Sequence, residues 1–371
     1  MRFVIFTHSL VSDWNHGNAH FLRGIASELL SRGHELKIFE PEDGWSRQNL
    51  LMEQGSSAID GFYQTYPNLR SSFYSDVTLS LDDALNGADI VIAHEWNTPE
   101  LIGRLSRHRK RHDSYQLFFH DTHHRIITDS DAMARFDLSC FDAVLAYGNV
   151  IRDKYVANGW ARNAWTWHEA ADTRVFRPLQ PAQKDGDLVW IGNWGDDERA
   201  GALREFLIEP VKALGIRARI YGVRYPAHAL KEMEDAGIEY GGWLPNYKAP
   251  EVFSRYKVTV HIPRGPYVEA LPGIPTIRPF EAMACGIPLI SAPWNDREKL
   301  FRPNVDFLYA RDGSEMQSHL KSVLNETELR ASLSTHGLET IRSRHTCSHR
   351  VDQLLAYMDK NVMETVLEGE A

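Results

Sequence analysis

The chain has 371 residues, of which 43% are hydrophobic and 25% are charged, and its formal net charge is -9. A chain of this length and composition can bury the cores of two ordinary domains, which excludes wholesale disorder. The net negative charge argues against binding through bulk positive charge, so we expect no nucleic acid as a partner.

The cysteines and the apolar runs indicate a protein of a reducing compartment. Cys140, Cys285 and Cys347 have no metal-ligand spacing and are too few for a disulfide framework. No apolar run approaches the roughly 18 residues of a membrane span, and no signal-peptide pattern precedes the first strand, so we expect a cytoplasmic location. The basic stretch 104–112 could make at most a weak membrane contact, and a solvated helix face is the simpler interpretation.

The N-terminal half alternates strand and helix patterns. Apolar residues at helical spacing between Phe21 and Leu30 predict one amphipathic helix, which Gly33 ends. Short apolar runs predict strands at 2–6, 35–40, 89–96, 115–121 and 142–148. Apolar strands that alternate with helices predict a parallel sheet covered on both faces.

A second alternating series follows a Pro-rich polar stretch at 176–187. Its predicted strands are 188–193, 217–222, 238–243, 258–263, 288–292 and 307–310, with helices at about 200–214 and 227–236 and two terminal helices. The fold class is therefore α/β, with two doubly wound, Rossmann-like domains that face each other across a cleft. We predict an N-terminal acceptor domain over 1–171, a linker over 172–187 and a C-terminal donor domain over 188–350. A terminal helix over 351–371 should pack back towards the N-terminal domain.

The stretch TIRPFEAMACG, residues 276–286, predicts a short helix with the parts of a nucleotide site. The free amides at its start, those of Thr276 and Ile277, suit a phosphate, and Arg278 adds a fork of donors. Glu281 can accept two hydrogen bonds from the vicinal hydroxyls of a ribose. We expect the Arg278 and Glu281 side chains to line the cleft rather than the core. A capped core helix with an incidental Arg and Glu is the alternative.

In each predicted domain, one turn of small residues follows the first strand. HGNAH, residues 16–20, contains Gly17 and Asn18 and could let a backbone approach a phosphate or a sugar. GNWGDDERAG, residues 192–201, is the equivalent turn of the second domain, with Gly192, Asn193 and Arg199. Neither turn is the G-x-G-x-x-G fingerprint of dinucleotide-binding proteins.

Four stretches together resemble one enzyme family. PTIRPFEAMACGIPLISAPW (275–294), ADTRVFRP (171–178), GNAHFLRGIASELLSRGHEL (17–36) and HTCSHRVDQLL (345–355) are similar to the group-one, family-4-like glycosyltransferases of the GT-B fold. Within that family the chain resembles the spore-maturation-protein-type branch. The resemblance implies transfer of a sugar from a UDP- or GDP-linked donor, with retention of configuration and without a metal or other cofactor. It leaves open whether the acceptor is a glycan, a lipid, a protein or a small molecule.

The resemblance also implies roles for single residues of the donor side. Glu281 corresponds to the acid that binds the donor ribose, and Arg199 stands where the family usually has a phosphate-binding Lys. Two positions depart from the family: its companion Arg is Asn193 here, and the position of a second acid, eight residues before Glu281, is Gly273. Glu269 is a candidate replacement for that acid. The turn GGWLPN, residues 241–246, implies that Trp243 and Leu244 contact the base.

The HDTHH stretch, residues 120–124, follows a predicted strand of the first domain. The resemblance places a His near the donor sugar in this region, so we assign that role to His120 and the orienting of His120 or neighbouring groups to Asp121. A metal site of His120, His123 and His124 and a purely structural polar cluster are the alternatives. HEW, residues 94–96, and residues 13–16 are candidates for acceptor contacts, whereas DSD at 129–131 is interpreted as a loop or helix cap.

Glycosyl transfer in this arrangement requires positive charge at the departing diphosphate, which protein groups can supply in place of a metal ion. Arg199, Arg278 and the backbone amides before Glu281 would provide that charge. We therefore predict no metal ligands. Two other functions remain open at this point. The chain could be an epimerase or a phosphorylase on the same scaffold, although the missing acid at Gly273 disfavours an epimerase. It could also be a non-catalytic protein that binds nucleotides or glycans.

Overall fold

Two parallel sheets organise the chain, and each belongs to one of two units. The computed structural model describes residues 1–180, 183–195 and 197–369. The first unit is Met1–Glu169 together with the segment that begins at Cys347, and the second unit is Ala170–Thr346. Residues 181 and 182 of the predicted linker, and 370 and 371 of the predicted terminal helix, lie outside the described residues.

The sheet of the first unit has seven strands in the order β3-β2-β1-β4-β5-β6-β7, and all neighbours are parallel. The strands are β1 Arg2–Phe6, β2 Glu35–Pro41, β3 Ser72–Tyr74, β4 Ile90–His94, β5 Gln116–Asp121, β6 Ala143–Ala146 and β7 Ala164–Thr166. The helices are α1 Ala19–Ser31, α2 Trp45–Gln54, α3 Ser57–Thr65, α4 Leu81–Ala84, α5 Pro99–Arg111, α6 Arg125–Thr128, α7 Ser130–Met133 and α8 Asn149–Ala157. The central strands are buried along almost their whole length, as continuous apolar runs require.

The last helix, α17 (Cys347–Gly369), returns to the first unit and packs against α1. Arg32, which ends α1, donates to the Asp352 carboxylate at 2.6 Å and to the Ser348 hydroxyl at 2.8 Å. Arg350 is fully buried and donates to the carbonyl oxygens of His168, at 2.8 Å, and of Glu169, at 3.2 Å. The first turns of α17 are thus held to the first unit by a helix contact and by buried polar bonds.

The sheet of the second unit has six strands in the order β10-β9-β8-β11-β12-β13, and all neighbours are parallel. The strands are β8 Leu188–Ile191, β9 Ala218–Tyr221, β10 Ile238–Tyr240, β11 Val258–His261, β12 Leu289–Ser291 and β13 Leu308–Tyr309. The helices are α9 Ala200–Leu203, α10 Glu209–Leu214, α11 Ala227–Asp235, α12 Ala249–Ser254, α13 Gly265–Glu269, α14 Ile277–Ala284, α15 Gly313–Asn325 and α16 Thr327–Arg344. One core of Val, Leu, Ile and Trp side chains lies between this sheet and its helices.

The predicted helix at 200–214 is interrupted. A π-helical turn, Arg204–Ile208, lies between α9 and α10, and Pro210 stands in the first turn of α10. Proline has no backbone N–H to donate to the preceding turn, so the regular hydrogen-bond ladder breaks just before it. Gly215 then ends α10 with a φ of 60°.

Three features of the fold differ from the sequence-based predictions. The edge strands β3 and β7 were not expected, because each has only three residues and a mixed polar pattern. Three helices rather than two follow the last strand. The start of the predicted linker is packed into the second unit: Asp172 and Phe176 are fully buried, and the amide of Ala171 donates to the carbonyl of His345 at 2.9 Å.

Among the described residues, no helix is both long enough and apolar enough to span a bilayer. All three cysteines have free thiols: Cys140 is partly exposed, and Cys285 and Cys347 are buried.

Candidate functional site

In the second sheet the strand order reverses at β8: β9 lies on one side of this strand and β11 on the other. Ligands of open parallel sheets bind outside the carboxyl ends of the strands at such a point. A cavity of about 240 Å³ lies there, lined by residues of the loops after β8 and β11 and of the helices that follow. Its lining includes Glu198, Arg199, Phe206, Ile262 and Glu269.

Arg199 lines this cavity and holds the two loops together. Its guanidinium donates to the carbonyl oxygen of Asn193 at 3.2 Å and to that of Ile262, and it packs 5.2 Å from the ring centre of Trp190. Its Nε is buried without a hydrogen-bond partner, and no carboxylate of the described residues forms an ion pair with it. Burial lowers the Arg199 pKa to about 10, so the side chain stays charged at neutral pH. A cation without an anion at a cavity wall is a site for an anionic ligand.

Arg264 lies in the chain between the cavity-lining residues Pro263 and Gly265, and its charge is already paired with a carboxylate. Arg264 donates to Oε2 of Glu198 at 2.9 and 3.0 Å, and the amide of Gly265 donates to Oε1 of the same carboxylate at 2.6 Å. Glu198 therefore ties the loop after β8 to the start of α13. Glu269, at the end of α13, is exposed and also lines the cavity.

The Glu281 carboxylate is fully buried, which corrects the expectation that it lines a cleft. Asn246 donates to its Oε1 at 2.6 Å, and Arg278, one turn earlier on α14, donates to its Oε2. The Arg278 side chain is 18% exposed and so lies over the acid as its cover. A carboxylate has about four lone-pair sites, so hydroxyl donors can still add to it once the cover is displaced.

His261, at the end of β11, interacts electrostatically with Arg199 and Arg278 and was not identified from the sequence. It is buried, and its Nδ1 lies 2.9 Å from the hydroxyl of Ser291. Burial and the charges of Arg199 and Arg278 lower its pKa to about 3. Both guanidinium groups therefore lie within electrostatic range of the same imidazole.

No side-chain cap covers the start of α14. Thr276 precedes the helix with a φ of 62° and makes no side-chain cap, and Ile277 is the first helical residue. A β-branched residue at positive φ is strained, and such strain of about 1–3 kcal/mol clusters at ligand-binding segments. Gly286 ends the helix as expected, with a φ of 67°.

The region around Gly273 contains an acid that sequence reasoning missed. Gly273 has a φ of 99°, and a Cβ built on it would lie 2.7 Å from Oε1 of Glu298. The side chain of Glu298, from the loop after β12, thus occupies the space that a residue larger than glycine would fill. Glu269, the replacement proposed from the sequence, lies instead at the cavity near Gly265. No local sequence signal links residues 273 and 298.

The two remaining donor-side turns are closely packed. A Cβ at Gly192 would lie 2.6 Å from the Trp190 ring, so only glycine fits there, and the Asn193 side chain accepts from the amide of Val223 at 2.8 Å. Trp243 and Leu244 follow β10 and are half-buried. The indole Nε1 of Trp243 is buried without an acceptor.

The carboxyl edge of the first sheet carries a row of buried histidines. Ring centres of His8 and His16 lie 3.9 Å apart, those of His8 and His94 6.1 Å, and those of His94 and His120 5.3 Å. Burial lowers the pKa of His8 and of His120 to about 3, so both are neutral. Both ring nitrogens of His8 and Nε2 of His120 have no hydrogen-bond partner. Trp45, which is 37% exposed, stacks on His8 with its ring centre 5.6 Å away.

Hydrogen bonds to other segments of the first unit hold the turn after β1 in place. The Asn18 amide nitrogen lies 2.9 Å from Nε2 of His94 and donates to the Thr122 hydroxyl at 3.0 Å, while Gly17 is exposed. The fully buried Arg23 of α1 pairs with Asp13 at 2.8 Å. Asn18 therefore joins the loops after β1, β4 and β5.

Asp121 lies on the opposite face of β5 from His120, because neighbouring residues of a strand alternate. Its carboxylate accepts from the Tyr155 hydroxyl at 2.8 Å and from the amide of His123 at 3.1 Å, so it orients these neighbouring groups rather than the His120 imidazole. Glu95, also fully buried, interacts electrostatically with it. Burial raises the Asp121 pKa to about 6, and burial and the Asp121 charge raise that of Glu95 well above its usual range.

Among the described residues, one group of three side chains could hold a metal: Asp82, His108 and His112. The alternative site of His120, His123 and His124 does not converge in the same way. Asp129 lies between α6 and α7, at the end of one helix and the start of the next, which agrees with the cap interpretation of DSD.

Residues 199–356 match a family model described as glycosyl transferase-like. No curated protein sequence matches the chain. The matched range contains Arg199, Arg278 and Glu281 and most of the second unit.

Solved structures share the whole fold at low identity. The sucrose-phosphate synthase of Thermosynechococcus elongatus has a TM-score of 0.66 at 12% identity, over 97% of this chain and 99% of that chain. Anabaena HepE, in complex with UDP and glucose, has a TM-score of 0.67 at 13% identity, over 97% of this chain and 100% of its own. An α-glucosyltransferase in complex with UDP and a 13-mer DNA has a TM-score of 0.70 at 13% identity, over 96% and 98% of the two chains. The two parallel-sheet α/β domains of this chain thus have the GT-B fold of glycosyltransferases.

Proposed function

We propose that this protein is a glycosyltransferase that transfers a sugar from a UDP- or GDP-linked donor to an acceptor, with retention of configuration. The second unit binds the nucleotide, and the first unit binds the acceptor. The resemblance of the sequence to the spore-maturation-protein-type branch gives the expected subfamily. UDP is the first choice of nucleotide, because two proteins of the same fold are solved with UDP.

The observation that carries the proposal is the charge of Arg199 at the cavity after β8. This guanidinium has a buried, unpartnered Nε and no carboxylate partner among the described residues. A diphosphate at the cavity would supply the missing anion and accept charge-assisted hydrogen bonds. The nearby start of α14, with the open amides of Thr276 and Ile277, adds partial positive charge on the same side.

The rest of the nucleotide site follows from the same geometry. Glu281 binds the ribose hydroxyls after Arg278 turns from the acid to the diphosphate, where it stabilises the leaving group. Trp243 and Leu244 contact the base, and the free indole N–H of Trp243 is available to a base or ribose oxygen. Gly192 and Asn193 shape the phosphate turn. Cationic side chains provide the charge that a metal provides in other transferases, so we propose activity without a metal.

The histidine row of the first unit supplies the acceptor side. Gly17 and Asn18 form its turn, and His120 acts next to the transferred sugar. Asp121 positions the loop that carries His123. Neutral imidazoles can both donate to and accept from hydroxyl groups, which suits an acceptor hydroxyl.

Titration calorimetry with UDP, GDP, ADP and NAD tests the proposal. We expect UDP or GDP to bind in preference to ADP and NAD, and the matching nucleotide sugars to be hydrolysed slowly without an acceptor. Preference for NAD, or no binding of any nucleoside diphosphate, would falsify the assignment. Tight UDP binding without hydrolysis or transfer of any UDP-sugar would instead indicate a non-catalytic binding protein.

A further inference from the structure

Two histidines and one aspartate converge at the amino edge of the first sheet, away from the histidine row at its carboxyl edge. Asp82 belongs to α4, His108 to the last turn of α5, and His112 directly follows α5. One possible ligand atom of each residue lies within 4.8 Å of those of the other two. We propose that these three side chains form a Zn²⁺ site, which is independent of the proposed transferase activity.

The distances fit a tetrahedral ion. Zn²⁺ binds imidazole nitrogen and carboxylate oxygen at about 2.0–2.2 Å, so two of its tetrahedral ligand atoms are about 3.4 Å apart. Oδ1 of Asp82 lies 3.1 Å from Nε2 of His108 and 3.8 Å from Nε2 of His112. The two imidazoles, four residues apart in the chain, stack with ring centres 4.3 Å apart. Three candidate ligand atoms therefore lie close together. The stacked imidazoles have to tilt so that both Nε2 lone pairs point at one ion, and a fourth position remains for water.

The surroundings prepare His108 to act as a ligand. Its Nδ1 lies 3.0 Å from the hydroxyl oxygen of Tyr115. That oxygen can accept a hydrogen bond from Nδ1–H, which leaves the lone pair of Nε2 for the metal. Tyr115 is buried and is a positioning residue, since it acts on the ion only through His108.

The donor set selects the kind of ion. Two imidazoles and one carboxylate suit Zn²⁺ and similar transition ions, whereas Mg²⁺ and Ca²⁺ require mainly oxygen ligands. Access is open, because the Asp82 side chain is 80% exposed and that of His112 is 48% exposed. The bound ion would connect α4 to the end of α5, and should therefore raise the thermal stability of the first unit.

Titration of the EDTA-treated, full-length protein with ZnCl₂ tests the proposal. We expect one Zn²⁺ per chain at this site, no comparable binding of Mg²⁺, and a Co²⁺ absorption spectrum of tetrahedral type. The thermal midpoint should rise with Zn²⁺ concentration. His112→Ala and Asp82→Asn change exposed side chains and should stay folded, and each should weaken Zn²⁺ binding at least roughly tenfold. Tyr115→Phe should weaken it roughly tenfold to a hundredfold, without loss of a ligand.

His228→Ala is the matched control, because His228 is also exposed and pairs with a single carboxylate, Asp197, at 3.6 Å. It should leave Zn²⁺ binding unchanged. The proposal is overturned if the protein binds no Zn²⁺, or if the affinity is the same in wild type, His112→Ala and Asp82→Asn. The latter result would assign the ion to other histidines, such as the row around His8 and His94. UDP affinity is measured separately, so failure of the Zn²⁺ site leaves the transferase proposal untouched.

Discussion

Replacement of Arg199 by methionine separates a ligand-binding role from a structural one. Methionine keeps an unbranched apolar side chain but removes the guanidinium, which carries the charge at the cavity and lies over the Trp190 ring. We expect UDP affinity to fall while the protein stays folded. A residue that holds the fold would show the reverse, so one variant distinguishes the two roles.

The magnitudes follow from the surroundings of the guanidinium. Burial lowers its pKa to about 10. At about 1.4 kcal/mol for each pKa unit, the shift from the ordinary value of an arginine corresponds to about 3 kcal/mol. The buried charge therefore destabilises the protein without ligand by about that amount. The two hydrogen bonds to carbonyl oxygens, each worth about 1 kcal/mol, offset that destabilisation. The free energy of unfolding should therefore change by less than about 1–2 kcal/mol.

The loss in binding should be larger. A hydrogen bond between charged groups contributes about 1.5–3 kcal/mol, so UDP affinity should fall by about tenfold to a hundredfold or more. Arg199→Lys keeps a charge and should retain part of the affinity. Arg204→Met, at an exposed arginine that pairs with Glu232, controls for the change in net charge and should leave UDP affinity unchanged.

Calorimetry with UDP and urea unfolding of the three variants provide the measurements. The reasoning is refuted if Arg199→Met loses several kcal/mol of unfolding free energy while its folded fraction binds UDP as wild type does. In that case the guanidinium serves to join the loops after β8 and β11, through the carbonyls of Asn193 and Ile262.

Three further predictions concern the acids and the metal requirement. Glu281→Gln should weaken donor binding roughly tenfold to a hundredfold, and Arg278→Ala should lower turnover more than donor affinity. Each variant should also lose about 1–3 kcal/mol of unfolding free energy, because the buried pair is broken. Normal kinetics in both variants would contradict these roles. Sugar transfer or donor hydrolysis should persist in EDTA, even though chelation would remove Zn²⁺ from the Asp82 site, and activity that only manganese restores would contradict this. Asp121→Asn should gain stability relative to wild type as the pH rises from about 4 to about 7, by up to about 3 kcal/mol. The sign follows because the folded-state pKa of Asp121 is raised to about 6. The stability that Asp121 contributes is therefore fully present below the pKa of the unfolded state and is lost as the pH rises through the folded-state pKa. Urea unfolding at several pH values measures this, and the same pH dependence in wild type and Asp121→Asn would show that the reasoning is wrong.

Local sequence patterns were sufficient for most of the fold. Apolar runs and helical spacing predicted the long central strands and α1. The two units divide between Glu169 and Ala170, just before the linker predicted over 172–187. The stretch around α14 predicted a short helix that Gly286 ends, because a glycine at positive φ and a following proline are local signals. The short edge strands β3 and β7 were not predicted, because three residues of mixed polarity show no recognisable hydrophobic pattern.

The partners of charged side chains were decided by tertiary structure. From the sequence, Glu281 and Arg278 were two free groups at a helix start; in the fold they pair with each other, and Asn246 from another loop completes the burial of the acid. Glu298 stands against Gly273 from a different loop.

The candidate metal site shows the same limit. Asp82 is 26 residues from His108 in the chain, and α4 and α5 bring their side chains within 3.1 Å. Periodicity along a chain records which face of an element is buried, since burial repeats with the helix or strand. It does not record which side chains of distant elements meet, because that depends on how the elements pack around the shared core.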